Sequence, residues 1–147
     1  MKLELKHLAS YLPYKLKVYH KTFNEHSKIT KSIIEELTTI SYECASFANS
    51  MDYYFEDIED NECDIKPILF PLSSLTIDEM KNITGSSFYR YSEDFLETIL
   101  NTMKLEINSK KLPYYLMEKL FERKFDVFGL IDAGLAEPVT EEFNPYK

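Results

Sequence analysis

Two prolines four residues apart, Pro67 and Pro71 in "DIKPILFPLSSL", constrain this chain more than any other feature. Each lacks an amide hydrogen and pushes its predecessor out of the helical region, so residues 65–75 must run as extended, apolar connecting chain. Before them the sequence reads mainly as strands (1–64); after them it reads mainly as helices (76–136), with 137–147 as a tail. The expected fold is a single α+β domain, 1–147: a small N-terminal antiparallel sheet of about three strands packed with three or four C-terminal helices. With 147 residues, 44% of them hydrophobic, and ten Phe and eleven Tyr, the chain can bury a core rich in aromatic rings.

The strand readings rest on alternation. In "YKLKVYHK", Tyr14, Leu16 and Val18 alternate with Lys15, Lys17 and Tyr19, the period of a half-buried strand with a lysine-rich outer face. The preceding "LKHLASYLP" suits a short helical turn that Pro13 ends. "SKITKSIIEELTTISYE" supports two readings. Ile29, Ile33, Ile34 and Leu37 have helical spacing, whereas the β-branched content favours a strand; the arrangement expected is a short helix or turn over 28–36 and a strand over 37–43. "DYYFEDIE" reads as a further strand.

The helices are better marked. "TIDE", Thr76 to Glu79, is a capping box, and Gly85 closes the helix it starts. In "SEDFLETILNTM", Ser92 is the N-cap, and Leu96, Ile99, Leu100 and Met103 share a face. Pro113 suits the first position of a helix whose stripe is Leu116, Met117, Leu120 and Phe121. "KFDVFGLIDAGLAEP" holds two of the chain's three glycines. It reads as a helix with Asp126 as N-cap, Gly129 inside it to admit a neighbouring backbone, Gly134 as the left-handed terminator and Leu135 folded back on Leu130. A phosphate site would instead want glycines ahead of the helix, and neither G-x-G-x-x-G nor G-x-x-x-x-G-K-[ST] occurs.

Charge narrows the function classes. Residues 1–31 hold seven Lys and two Glu, net +5, while the remainder holds ten Lys or Arg and twenty-three Asp or Glu, net −13. A chain of net charge −8 repels phosphate backbones, which argues against general nucleic-acid binding. The acidic run "EDIEDNECD", with Glu56, Asp57, Glu59, Asp60, Glu62 and Asp64, lacks EF-hand spacing; it suits an interaction surface that imitates nucleic-acid phosphates toward a basic partner protein. The competing surface is the basic N-terminal strand, where Lys15, Lys17, Tyr19 and Lys21 combine cations with a stacking ring. No metal or cofactor site is expected. Cys44 and Cys63 form no ligand motif and read as free thiols of a reducing compartment. His7 and His20 approach one another if the first strand folds back, yet no G-x-S-x-G or H-E-x-x-H occurs, so no catalytic residues are assigned and a non-enzymatic protein is expected. No segment approaches the length of a membrane span, and a cytoplasmic protein is expected.

Three quoted segments, "MKLELKHLASYLPYKLKV", "DIKPILFPLSSLT" and "KFDVFGLIDAGLA", resemble in the same order a group of small uncharacterised proteins of bacteriophages and prophages. The likeness covers about a third of the chain. It departs from the group at Phe70, where a basic residue is usual, and at Lys15, where glycine is usual. The resemblance implies a phage or mobile-element origin and life inside a bacterial host cell. The function expected is that of a non-enzymatic interaction protein binding a host or phage protein through its acidic loop or exposed tyrosines, an inhibitor of a host factor or defence system being one form. The resemblance implies no reaction.

Overall fold

The computed structural model describes residues 1–24, 29–41, 44–48, 53–54, 65–84, 93–105 and 114–147. Among the described residues six strands form one sheet: β1 (Lys17–Asn24), β2 (Ile29–Ile40), β3 (Cys44–Phe47), β4 (Tyr53–Tyr54), β5 (Ile65–Leu69) and β6 (Glu137–Pro138), in the order β4-β3-β2-β1-β5-β6. Every pairing is antiparallel except β5 with β6. The described helices are α1 (Leu5–Ala9), α2 (Ile77–Thr84), α3 (Glu93–Leu105) and α4 (Tyr114–Glu122). The fold is α+β, but the sheet is larger than three strands and draws β5 and β6 from beyond the 1–64 segment expected to hold it.

Alternation sets the faces of β1. Leu16, Val18 and His20 are buried, whereas Lys17 and Tyr19 are half-buried and Lys21 is exposed. The strand begins at Lys17 rather than Tyr14, because Leu12–Tyr14 forms a 3-10 turn that ends in Lys15 at φ 57. Pro13 therefore opens this turn instead of stopping the helix before it.

The helix or turn expected over 28–36 is absent: β2 is continuous from Ile29 to Ile40 and pairs with β1 along eight residues, Lys17↔Glu36 through Asn24↔Ile29. The stiff side chains of Ile33, Ile34 and Thr39 suit a pleated strand, and a full partner strand decides between the two periods. An irregularity between Leu37 and Thr39 shifts the register toward β3. Of "DYYFEDIE" only Tyr53 and Tyr54 are described, and they form β4.

The proline segment is extended, as its chemistry demands, yet it is an interior strand rather than a connection. β5 pairs with β1 through Val18↔Pro67 and with β6 through Ile68↔Glu137. Leu69 C=O faces β6, accepting from Val139 N–H at 2.8 Å. By the period of two, the amide that Pro67 lacks would face the same side, one residue before that pairing begins.

Two apolar clusters share the interior. One joins α1 and the inner sheet face through Leu8, Tyr11, Leu16, Val18, Leu37, Phe47 and Leu69. The other joins the helices through Leu75, Met80, Leu100, Leu116, Leu120 and Phe125, and Phe121 touches both. The Thr76 capping box forms as expected: Thr76 N–H donates to Glu79 Oε2 at 2.9 Å and Glu79 N–H to Thr76 Oγ1 at 3.2 Å. Gly85, Ser92 and Pro113, named above as helix boundaries, lie outside the described residues.

The 124–138 stretch is corrected in part. No regular helix forms, because Gly129 adopts φ +70 and breaks it; a single helical turn follows from Leu130. Asp126 does cap it, accepting Leu130 N–H at 2.9 Å and Ile131 N–H at 2.8 Å. The ending is the expected one. Gly134 has φ +72, Gly134 N–H reaches Ile131 C=O, and Leu135 N–H reaches Leu130 C=O. The tail is likewise part of the body: Tyr146 Oη accepts from Lys17 N–H at 3.1 Å and donates to Ile68 C=O at 2.7 Å. It stands where the β1–β5 ladder would next have paired these two residues.

Candidate functional site

The buried polar side chains are engaged by the chain itself. Tyr11 is fully buried; its hydroxyl donates to Phe125 C=O at 2.7 Å and accepts from Val127 N–H at 3.3 Å, and burial pushes its pKa well above the usual phenol value. Asp126 spends both carboxylate oxygens on the 130–131 amides. His7 Nδ1 accepts from Glu4 N–H at 3.0 Å, which leaves the other nitrogen to carry the proton, and burial lowers its pKa.

His7 and His20, expected to approach if the strand folded back, have separate neighbours. His7 packs on Phe128 with ring centroids 5.1 Å apart, whereas His20 stacks on Phe47 at 5.2 Å and places Nε2 3.3 Å from Glu35 Oε2. The His20–Glu35 pair is cross-strand and buried, and the sequence reading missed it. Its signal was available. Both residues occupy inward positions of alternating strands, where a buried charge needs a partner.

The acidic run Glu56, Asp57, Glu59, Asp60, Glu62 and Asp64 lies outside the described residues, as does Cys63. The basic set is split. Lys15 sits in the turn, while Lys17, Tyr19 and Lys21 follow one another on the outer face of β1. Lys17 Nζ stands 3.8 Å from Glu36 Oε2, and Tyr19 Oη donates to Ser32 Oγ at 2.7 Å. Nearby, Lys66 pairs with Glu137 at 3.0 Å. This face is therefore partly charge-compensated. Cys44 is a free thiol beside Ser41. Among the described residues no group of three or more His, Cys, Asp or Glu side chains is placed to hold a metal ion, and no helix is long and apolar enough to cross a membrane.

Two surface features remain. At the start of α4, Tyr114 is 80% exposed and Tyr115 is 43% exposed. Tyr14, in the turn packed on α4, is half-buried; desolvation, then the charges of Glu118 and Glu122 and the nearby Tyr114, raise its pKa. The second is an open groove of about 510 Å³ lined by Phe70, Glu79, Asn82, Ile83, Arg123 and Phe125. It lies between α2 and the loop that ends α4. That loop closes with Lys124 N–H on Phe121 C=O and Phe125 N–H on Leu120 C=O, Lys124 taking φ 59 at the position glycine usually fills.

Compared with known proteins, the chain matches no family model, no curated protein and no solved structure.

Proposed function

We propose that this chain is a non-enzymatic interaction protein that holds a partner protein through the tyrosine face of Tyr14, Tyr114 and Tyr115. The observation that carries the reading is the adjacent exposed pair, Tyr114 at 80% and Tyr115 at 43%, presented on a helix whose other face is anchored by Leu116 and Leu120. Tyrosine rings give large contact area with few rotors to immobilise, and they concentrate at the energetic centres of interfaces. Glu118 and Glu122 border the rings and the chain carries net charge −8, so a partner with a basic rim is the complementary one. With the phage-like segments, the reading becomes that of a phage or prophage protein acting on a host or phage factor in the bacterial cytoplasm, inhibition of a defence system being one form. The acidic run from Glu56 to Asp64 is its second candidate surface.

The test compares partners captured from bacterial lysate by the wild type and by Tyr114→Ala/Tyr115→Ala, both checked for equal thermal midpoints. Loss of the specific partner in the double variant is expected; equal recovery rejects the tyrosine face. Loss instead on replacing Glu59, Asp60 and Glu62 with their amides moves the surface to the acidic run. The alternative is nucleic-acid binding by Lys15, Lys17, Tyr19 and Lys21. It draws on the placement of the last three along one open face of β1. Affinity for short DNA or RNA that falls steeply with salt would favour it, and silence at low salt removes it.

A further inference from the structure

Separately from the tyrosine face, we infer that the groove between α2 and the end of α4 binds a free amino acid with an apolar or aromatic side chain, held as a zwitterion by Arg123 and Glu79. The floor of the groove is apolar and fixed. Phe70 N–H donates to Lys124 C=O at 2.8 Å and Asp126 N–H to Phe70 C=O at 2.9 Å, so the backbones of Phe70 and Phe125 are tied together in a parallel bridge. Their rings lie 5.8 Å apart, and Ile83 extends the apolar lining. A volume of about 510 Å³ falls within the range of small-ligand sites.

The described lining carries one charge of each sign. Glu79 is immobilised before any ligand arrives: Oε2 accepts from Thr76 N–H at 2.9 Å and from Thr76 Oγ1 at 3.0 Å. Its Oε1 has no partner among the described residues and is available to an ammonium group. Arg123 stands on the closing turn of α4, with its N–H bonded to Lys119 C=O at 3.2 Å. The next residue is fixed in the left-handed region, so the base of the arginine side chain is set, while the guanidinium has no protein partner among the described residues. A planar fork of donors suits a carboxylate. Opposite charges lining one groove with an aromatic floor match the α-ammonium, α-carboxylate and side chain of one small molecule. A fixed carboxylate and a fixed floor reduce the ordering that binding requires. A mononucleotide fits less well. Its phosphate would meet a single arginine, an opposing Glu79 and a chain of net charge −8.

L-Phenylalanine is the probe, titrated into the full chain and followed by saturation-transfer NMR and calorimetry. Binding is expected to the wild type. Phenylalanine amide, which lacks the carboxylate, and 3-phenylpropionate, which lacks the ammonium, should each bind at least about tenfold more weakly, the scale of one charge-assisted contact. Arg123→Gln should lose the same factor with an unchanged thermal midpoint, because Arg123 is exposed. Glu79 is left intact, since replacing it would open the cap of α2. The inference is overturned by no binding of phenylalanine at millimolar concentration, by either truncated probe binding as tightly as phenylalanine, by wild-type affinity in Arg123→Gln, or by tighter binding of adenosine monophosphate than of phenylalanine.

Discussion

The sheet-side core and the helical core of this molecule are assembled on different principles. The helical cluster, from Leu75 through Met80, Leu100, Leu116 and Leu120 to Val127, consists of apolar side chains. The sheet cluster includes Tyr11, and His7, His20, Glu35 and Asp126 are buried as well. Among the described residues no buried side-chain nitrogen or oxygen lacks a hydrogen-bond partner. Directional bonds tie the sheet side to distant parts of the molecule, as when Tyr11 reaches Phe125 of the helical cluster, 114 residues away. On the helical side, volume and amphipathic spacing suffice. The first core should therefore respond to the loss of single polar atoms, the second to the loss of volume.

The largest expected effect tests the helical side. Leu120→Ala removes a fully buried side chain and should destabilise by about 3 kcal/mol in chemical denaturation, cavity included. Tyr11→Phe keeps the volume and deletes one hydroxyl, leaving Phe125 C=O and Val127 N–H without it; about 1.5 kcal/mol should be lost. A loss below about 0.5 kcal/mol would break the contrast, because the hydroxyl would then be ornamental. Lys15→Gly should stabilise by about 0.7 kcal/mol by relieving a left-handed non-glycine residue, and a destabilised variant would show that the lysine side chain outweighs its backbone.

The pH dependence sharpens the same comparison from the N-terminus. Burial lowers the pKa of His7 below its ordinary value of 6.5, so the unfolded chain binds a proton that the folded chain resists. The stability this residue contributes is present above about pH 6.5 and is lost as pH falls through the lowered folded value. His7→Asn retains an acceptor for Glu4 N–H and removes the titration. Its unfolding free energy should fall less than that of the wild type between neutral and mildly acidic pH, and parallel curves would refute the assignment.

Much of this architecture was legible in the residues, for reasons that differ by element. The capping box at Thr76, the stripe of α4 and the Gly134 terminator are local signals whose partners lie within a few positions, so spacing alone specified them. β2 misled because Ile29, Ile33, Ile34 and Leu37 satisfy a helical period by coincidence, and only pairing with a distant strand decides against it. The role of β5 was hidden for a related cause: a proline is admissible inside a sheet when its missing donor faces an unpaired side, and a sequence does not display which side that is. Gly129 was placed inside a helix because a single glycine there is tolerable, whereas its positive φ follows from the packing around Asp126. The groove was invisible for the same reason as the sheet order. Phe70, Glu79 and Arg123 are well separated in sequence, and only the fold brings them to one opening.

The phenol of Tyr146 has a temporal consequence. It completes the hydrogen bonding of Lys17, 129 positions upstream, so a ribosome must make all of the intervening residues before that strand position gains its permanent neighbour. Until then water must satisfy the Lys17 amide and the Ile68 carbonyl at the β1–β5 end.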